Sequence, residues 1–274
     1  MSNKPKWAKD LEQLLLDGTK YSGSRGPKER VISASSLGRE PYYLMLEYLH
    51  GKSDDQEEFG ANTIGSIYQL GLDKLIENMD KEGRYVTAKR MKYTLPNGWV
   101  VSGEMDILDL VEKVIIDGKL LSGGGYKSAI ENKIDSDYNL QLAVYIFLLY
   151  KTEGIEAVGA LHACNKAGSA VKKDIYSNFE LITHSVEKIE ELLIKKTDEI
   201  QKYIDLETMP SEVCDVFKFG KTNGIPNRCK TYCDYNKVCP YAKDRTYHDT
   251  NQSLLGLEPS KAKTVYSASD DIDF

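Results

Sequence analysis

The spacing of apolar and polar residues changes several times along the chain, and these changes predict its elements. Apolar residues three or four apart indicate helices over 41–50, 64–80, 138–151 and 185–205. A period of two, or a short run rich in Val, Ile and Leu, indicates strands near 84–93, 99–120, 155–164 and 171–177. Residues 1–30 add a short amphipathic helix and a loop, and Gly123 begins a second, flexible loop. We therefore expect a mixed α/β (α+β) fold built around one hairpin meander.

The most informative stretch runs from Trp99 to Leu120. Two apolar runs flank the polar pair Glu112-Lys113, which predicts a β-hairpin. The first run contains Gly103-x-x-Asp106, and the second ends in Asp117-Gly118-Lys119. Asp117 and Lys119 share a strand face, and a second acid on the neighbouring strand would suit Mg²⁺ or Mn²⁺, which use one or two carboxylates together with water and phosphate. A solvated surface hairpin is the alternative interpretation.

A polar pair follows in the apolar helix predicted over 138–151. Gln141 and Tyr145 are four residues apart, so they share a helix face. A glutamine in so apolar a segment must form a hydrogen bond, either within the core or at a site. The order G-x-x-D, D-x-K, Q-x-x-x-Y resembles the PD-(D/E)xK nuclease superfamily, in particular its RecB-like exonuclease branch with the CRISPR-associated members. The resemblance covers roughly residues 30–245.

This resemblance implies a nuclease core with a central mixed β-sheet flanked by helices. It implies metal-dependent hydrolysis of phosphodiester bonds in linear DNA, single- or double-stranded, most readily by an exonuclease in recombination, repair or replication, including that of a phage. Asp106 and Asp117 would bind Mg²⁺ or Mn²⁺, with help from the Gly118 carbonyl. Lys119 would assist the attacking water. The catalytic site would be completed by Gln69, Gln141 and Tyr145.

Gln69 departs from the pattern of that branch. The run Gly65-Ser66-Ile67-Tyr68-Gln69 ends in glutamine where the branch has a metal-binding histidine in G-x-x-x-H. This leaves open a catalytically silent DNA-end-binding or assembly protein on the same fold, and a structure-specific endonuclease is a further alternative. Glu131-Asn132-Lys133 also spells (D/E)-x-K, but it lies outside any strand pattern and we interpret it as a decoy.

The cysteines form a second cluster near the C-terminus. Cys229, Cys233 and Cys239 lie within eleven residues, which in an intracellular protein is typical of a metal site. Similar cysteines close a 4Fe–4S cluster in some members of the branch, but Glu40 stands where their upstream cysteine would be. Cys214 is therefore the candidate fourth ligand. Four thiolates suit a 4Fe–4S cluster or Zn²⁺, and three cysteines with His248 would suit Zn²⁺. A loop of buried thiols without metal is the alternative.

Composition limits these hypotheses only a little. The 274 residues are 41% hydrophobic and 28% charged, with a net charge of −6, which argues against a generally basic surface but permits a local basic groove. No apolar run approaches membrane-spanning length and no secretion signal is evident, so we expect a cytoplasmic protein that does not bind membranes. We predict four parts: an N-terminal helix and loop (1–30), the nuclease core (31–205), the Cys-rich lobe (206–248) and an acidic tail (249–274).

The tail is too polar to fold alone. It ends in Asp270-Asp271-Ile272-Asp273-Phe274, acidic residues around an Ile and a terminal Phe, and so resembles the C-terminal tips of single-stranded-DNA-binding proteins of bacteria and phages. By that resemblance it would recruit a protein partner. The alternatives are a solvated tail and a tail that occupies the protein's own DNA groove.

Overall fold

The computed structural model of the protein describes residues 6–18, 25–52, 61–132, 136–166, 176–180, 185–212, 214, 221–222, 225–226, 233–235 and 238–239. Contacts divide the chain into two compact units. Unit 1 comprises Met1–Gly38 and Gly51–Asp198, and unit 2 comprises Arg39–His50 and Glu199–Phe274.

Helices and strands alternate along the described residues, which confirms the mixed α/β class. In chain order they are α1 (Lys6–Gly18), β1 (Val31–Ser33), a 3₁₀ turn (Ala34–Ser36), α2 (Pro41–His50), α3 (Ala61–Met79), β2 (Tyr85–Thr94), β3 (Val100–Asp109), β4 (Val114–Leu121), α4 (Gly123–Asn132), α5 (Ser136–Glu153), β5 (Val158–Asn165), β6 (Tyr176–Glu180), α6 (Val186–Asp205), β7 (Lys221–Thr222) and β8 (Ile225–Pro226).

The expectation of a flexible loop from Gly123 is wrong. These glycines form the first turn of α4, because Ser122 caps the helix. Its Oγ accepts a hydrogen bond from the Gly125 N–H at 3.3 Å, and its carbonyl accepts one from Tyr126 N–H at 2.7 Å. A serine at this position satisfies main-chain donors that would otherwise have no partner.

A mixed sheet forms the centre of unit 1. Its strand order is β1-β3-β4-β5-β6, with β2 paired to β3. The β2–β3, β3–β4 and β5–β6 pairs are antiparallel, whereas β1–β3 and β4–β5 are parallel. The hairpin predicted over Trp99 to Leu120 is the β3–β4 pair, with its turn at residues 110–113.

The sheet opens where β3 changes partner. Residues Val100 to Ser102 of β3 pair with β1, and Ile107 to Asp109 pair with β4. The four residues between them, 103–106, pair with neither strand on that edge. We call this gap between β1 and β4 the fork; it leaves the G-x-x-D segment (103–106) without a main-chain partner on that edge of the sheet.

Helix α5 is the most deeply buried helix in the described part of unit 1. All eight residues from Leu142 to Leu149 are buried, as expected of a helix that is apolar on all sides. It packs on the 3₁₀ turn and on strands β2 to β5, so it holds one end of the fork in place. Among the described helices, none combines the length and apolar character needed to cross a bilayer.

Unit 2 joins α2 to the segment that carries two of the cysteines. The hydroxyl of Tyr43 on α2 donates to Asp234 Oδ2 at 2.7 Å, and its ring stacks edge-on against Tyr235 with 5.1 Å between centroids. Burial and then the charge of Asp234 raise the pKa of Tyr43, so the phenol remains a donor. This contact links residues 191 positions apart in the sequence.

Candidate active site

Asp117 and Lys119 form a buried ion pair on β4. Lys119 Nζ donates to Asp117 Oδ1 at 2.9 Å and lies 2.8 Å from Oδ2. The Asp117 side chain is fully buried and that of Lys119 is 23% exposed. Both oxygens therefore lie against the same ammonium group, but Oδ2 receives no well-aligned hydrogen bond from the described residues. One cation is shared by both oxygens of a fully buried carboxylate.

Asp106 faces this pair from the fork in β3. Its Oδ2 accepts a hydrogen bond from the Gly118 N–H at 2.8 Å. Burial, followed by the charge of Asp117, raises the pKa of Asp106 to about 7, and the charge of Lys119 only partly opposes this. The two acids thus repel each other in a buried place, and a further positive charge would stabilise both.

Gln69 on α3 brings an amide to the same place. Its Oε1 is buried and has no hydrogen-bond partner among the described residues. A Cβ added to Gly118 would lie 3.1 Å from this oxygen and 3.6 Å from Asp106 Oδ2. Glycine at position 118 therefore leaves open a space bordered by an amide oxygen and a carboxylate oxygen.

These oxygens fit a hard divalent cation. Mg²⁺ prefers oxygen ligands and binds through one or two carboxylates while keeping water or phosphate in its other positions. Asp106 and Asp117 would supply the carboxylates, and Gln69 would supply a neutral oxygen. No group of three or more His, Cys, Asp or Glu side chains suited to a metal occurs among the described residues, so neutral ligands would have to complete the site.

The charge state of Lys119 follows from its neighbours. Burial lowers its pKa, but the charges of Asp117 and Asp106 and the hydrogen bond to Asp117 raise it above its ordinary value of 10.5 overall. Lys119 therefore stays protonated at neutral pH and acts as a hydrogen-bond donor and positive charge, not as a general base.

Gln141 and Tyr145 on α5 bond to each other. Gln141 Nε2 donates to the Tyr145 hydroxyl at 2.7 Å. The Tyr145 ring lies so close to β3 that a Cβ on Gly103 would be 2.7 Å from its Cε1. The glycine of the G-x-x-D motif is thus required by the approach of Tyr145. Three residues before Gln141, Tyr138 places its ring 5.6 Å from Lys119 Nζ.

A basic pocket lies beside the acids in unit 1. Its lining includes the side chains of Arg25, Lys52, Arg90, Ser33, Ser35, Ser102, Glu104 and Tyr145. Ser102 and Glu104 belong to β3, and Glu104 is two residues from Asp106. At the usual rise of a strand, the Cα atoms of Glu104 and Asp106 are about 7 Å apart. The pocket and the acids are therefore neighbours on one strand.

Main-chain pairing holds two of the basic residues together. The N–H and carbonyl groups of Arg25 and Lys52 exchange hydrogen bonds of 2.9 and 3.0 Å. Gly51, which precedes Lys52 in the chain, has φ of +75° and no room for a Cβ, since one would lie 2.5 Å from the Arg25 carbonyl oxygen. The third, Arg90, donates to Glu104 at 2.9 Å.

The structure thus brings together most of the residues expected from the sequence. Asp106 lies close to Gly118 and Gln69 on one side and is near enough to Asp117 and Lys119 for their charges to shift its pKa. Tyr145 lines the adjacent pocket and accepts a hydrogen bond from Gln141. In the second (D/E)-x-K run, which we interpreted as a decoy, Glu131 and Asn132 are the last two residues of α4. Its third residue, Lys133, lies outside the described residues.

Two features of the site were not predicted. Asp73 and Tyr138 contact Gln69 and Lys119 respectively, and the spacing of Asp73 one helical turn after Gln69 was available in the sequence. Arg25, Lys52 and Arg90 are far apart in the chain, so only the fold reveals that they share a pocket.

The cysteine site stays a prediction. Cys214 and Cys233 are half-buried and Cys239 is buried, whereas Cys229 and His248 lie outside the described residues. Because the described cysteines form no group of three metal ligands, we assign no cluster to unit 2. Metal analysis of freshly purified protein tests this prediction. The tail, including Asp270 to Phe274, also lies outside the described residues, and its partner stays a prediction.

Several solved structures are similar to this one. The crystal structure of SSO0001 superposes with a TM-score of 0.51 at 16% identity, over 83% of this chain and 95% of that one, which shows a shared fold. The alkaline exonuclease LHK-Exo from Laribacter hongkongensis gives 0.42 at 12% identity, over 71% of this chain and 97% of that one. A phage-related exonuclease from Haemophilus somnus 129PT gives 0.40 at 14% identity, over 64% and 81%.

Sequence comparison gives no match among curated proteins, but a family model matches well over half of the chain. That model describes the PD-(D/E)XK nuclease superfamily, and it matches residues 43–240. The matched region contains the fork in the sheet, both acids, Lys119 and the Gln141–Tyr145 pair. The chain belongs to the PD-(D/E)XK nuclease superfamily.

Proposed function

We propose that the protein is a Mg²⁺- or Mn²⁺-dependent exonuclease that hydrolyses phosphodiester bonds at the ends of linear DNA. The observation that carries the proposal is the group of poorly compensated oxygens near Gly118. Asp106 is a half-buried acid with a raised pKa. Gln69 Oε1 has no hydrogen-bond donor among the described residues, and the one partner shown for Asp117 Oδ2 is the ammonium group of Lys119. Buried polar atoms are rarely left in this state unless a ligand completes them.

Asp106, Asp117 and Gln69 would hold the cation, with the Gly118 carbonyl as a further proposed ligand. A divalent cation in this place supplies charge that polarises a phosphoryl oxygen and acidifies water. The protein's own contribution is to exclude bulk water from the acids and to keep Gly118 free of a side chain. The ion pair with Asp117 holds the Lys119 ammonium group beside both acids, where it donates to the attacking water and neutralises charge that develops on the phosphate.

The basic pocket supports cleavage near an end. Arg25, Lys52 and Arg90 outnumber the one acidic residue of the pocket, Glu104, and serine hydroxyls add donors. Arginine, lysine and hydroxyl groups are the usual partners of phosphate oxygens. A terminal phosphate held there would place a neighbouring phosphodiester beside Asp106. This arrangement favours binding of a free, phosphorylated end over binding in the middle of a strand.

Digestion of end-labelled DNA tests the proposal. Wild-type protein should degrade linear DNA with Mg²⁺ or Mn²⁺, should be inactive with EDTA, and should leave covalently closed circles intact. Lys119→Ala should be inactive on every substrate. Cleavage of linear DNA in EDTA, or full activity of Lys119→Ala, would contradict the assignment of the site.

Two alternatives remain from the sequence. The replacement of histidine by Gln69 favours a catalytically inactive protein that binds DNA ends. This alternative predicts that the wild-type protein binds end-labelled DNA but does not cleave it with any divalent metal. A structure-specific endonuclease predicts nicking of closed circles or branched junctions. The same panel of substrates separates all three functions.

A further inference from the structure

The amide of Gln69 has two ends of similar size and opposite polarity. Its oxygen can bind a cation, whereas its NH₂ group can only donate hydrogen bonds. A glutamine is therefore useful to a cation site only if a neighbouring group fixes which end faces the site.

Asp73 is that neighbouring group, and it lies on the same helix. It follows Gln69 by one turn of α3, and its Oδ1 accepts a hydrogen bond from Gln69 Nε2 at 3.0 Å. The Asp73 residue is 9% exposed, so water offers Gln69 little competition for this acceptor. An ionised carboxylate only accepts hydrogen bonds, and so the NH₂ end of Gln69 must face Asp73.

The oxygen end then points to the space beside Gly118. Gln69 Oε1 is buried and without a donor among the described residues, and the position of a Cβ on Gly118 would be 3.1 Å from it and 3.6 Å from Asp106 Oδ2. A buried acceptor without a partner destabilises the fold unless a ligand completes it. Turning the amide over would give Oε1 no donor either, and it would place two oxygen acceptors together at Asp73.

We propose that Asp73 is a positioning residue, which holds the Gln69 amide so that its oxygen faces the divalent cation. This inference rests on the proposed metal-dependent function and assigns a role to a residue that would not itself touch the cation. Metal ligands commonly donate their second polar atom to a carboxylate, and loss of that carboxylate weakens metal binding by roughly 10- to 100-fold.

A double substitution tests the proposal by reversing the hydrogen bond. Asp73→Asn keeps the size of the side chain, but an asparagine can either accept from the Gln69 amide nitrogen or donate to its oxygen, so the orientation of Gln69 is no longer fixed. Gln69→Glu combined with Asp73→Asn presents a carboxylate oxygen to the cation in either orientation, while the amide introduced at position 73 donates to the other oxygen. Gln69→Glu alone places two carboxylates side by side.

Mn²⁺ binding without DNA, measured by calorimetry, is the readout. Asp73→Asn should weaken binding about tenfold, Gln69→Ala by a similar factor, and the double variant should bind at least as well as wild type. The matched control is Glu77→Gln. Glu77 is also on α3, but its carboxylate pairs with Lys74 and not with Gln69, so this variant should bind Mn²⁺ as wild type does. Melting temperatures without metal show that each variant is folded.

The outcomes separate the inference from the proposed function. If wild type binds Mn²⁺ and Asp73→Asn binds it equally well, the inference is wrong while the proposed function stands. If Asp73→Asn weakens binding to the same extent in the wild-type background and in the Gln69→Glu background, Asp73 has a general structural role and the inference is again wrong. A wild-type protein that binds no Mn²⁺ contradicts the proposed function itself.

Discussion

The β3–β4 hairpin carries an acid near each end of its paired segment, and the two acids have very different hydrogen-bond partners. Asp109, beside the turn, accepts hydrogen bonds from Arg84 Nε at 3.0 and 2.9 Å and from the N–H groups of Val111 and Glu112 at 2.9 and 3.1 Å. Asp106, three residues earlier, accepts one from the Gly118 N–H.

The pKa values follow these partners. The hydrogen bonds from Arg84 lower the pKa of Asp109, although burial opposes them. Burial and the charge of Asp117 raise the pKa of Asp106 to about 7. A carboxylate with a full set of donors stabilises the fold, whereas one that repels its neighbour costs stability until a cation binds. Within a single strand, Asp109 therefore has the partners of a structural acid, whereas Asp106 is the acid that we propose as a cation ligand.

The largest expected effect is the loss of activity at the Asp106 end. Asp106→Asn keeps an acceptor for the Gly118 N–H but removes a charge from the cation site, so DNA hydrolysis should fall by about 10³-fold or more. Steady-state cleavage of end-labelled DNA measures this. The melting temperature of the metal-free variant should equal or exceed that of wild type, because the repulsion with Asp117 is gone. Near-normal cleavage would show that Asp106 is not part of the site.

The opposite change is expected at the Asp109 end. Asp109→Asn cannot accept all the donors around the turn, so the melting temperature should fall by about 5 °C. Cleavage at 25 °C, below the transition, should be unchanged. The difference in stability between this variant and wild type should shrink in acid, since the contribution of Asp109 is lost as pH falls through its lowered pKa. Loss of activity in a folded Asp109→Asn protein would contradict the structural role that we give to Asp109.

The sequence identified Asp106 as a candidate ligand through its order of motifs. Asp106, Asp117, Lys119, Gln141 and Tyr145 stand in local patterns whose spacing could be recognised. The structural acid could not be identified in this way, because its partner Arg84 lies 25 residues earlier and only the β2–β3 pairing brings them together.

The same reason explains why the basic pocket was missed, since it combines residues from distant segments. Helix α4 was missed for a local reason: it begins at three glycines, which disfavour helices, and its cap is the single side chain of Ser122. By contrast, the helices over 41–50 and 185–205 were predicted close to their bounds, since their periodicity extends over two or more turns. Repeated local patterns could be recognised in the sequence, whereas long-range pairings could not.

A smaller effect is expected from pH in the metal-free protein. The pKa of Asp106 rises from 3.8 to about 7 on folding, so the native protein keeps a proton that the unfolded chain releases. The free energy of unfolding should therefore fall as pH rises from about 4 to about 7. Melting curves in EDTA measure this slope, which should be shallower in Asp106→Asn. An equal slope in both proteins would show that Asp106 is not the group responsible.

The smallest effect is expected in the pocket beside Asp106. Lys52→Gln removes one of three basic side chains and should reduce the preference for phosphorylated over dephosphorylated DNA ends by about threefold to tenfold. Lys92→Gln is the matched control, because Lys92 is an exposed lysine on β2 outside the pocket. Competition between the two kinds of end in one digestion measures the preference. Equal changes in both variants would indicate a general effect of charge.

Titration of Mn²⁺ into wild type, Asp106→Asn and Asp109→Asn, without DNA, tests the central claim most directly. The two acids lie on the same strand and both substitutions replace a carboxyl group by an amide, so a general effect of this replacement would appear in both variants. We expect wild type and Asp109→Asn to bind Mn²⁺ with the same affinity and Asp106→Asn to lose binding. Equal binding by all three proteins would contradict the assignment of the poorly compensated oxygens near Gly118 to a cation site.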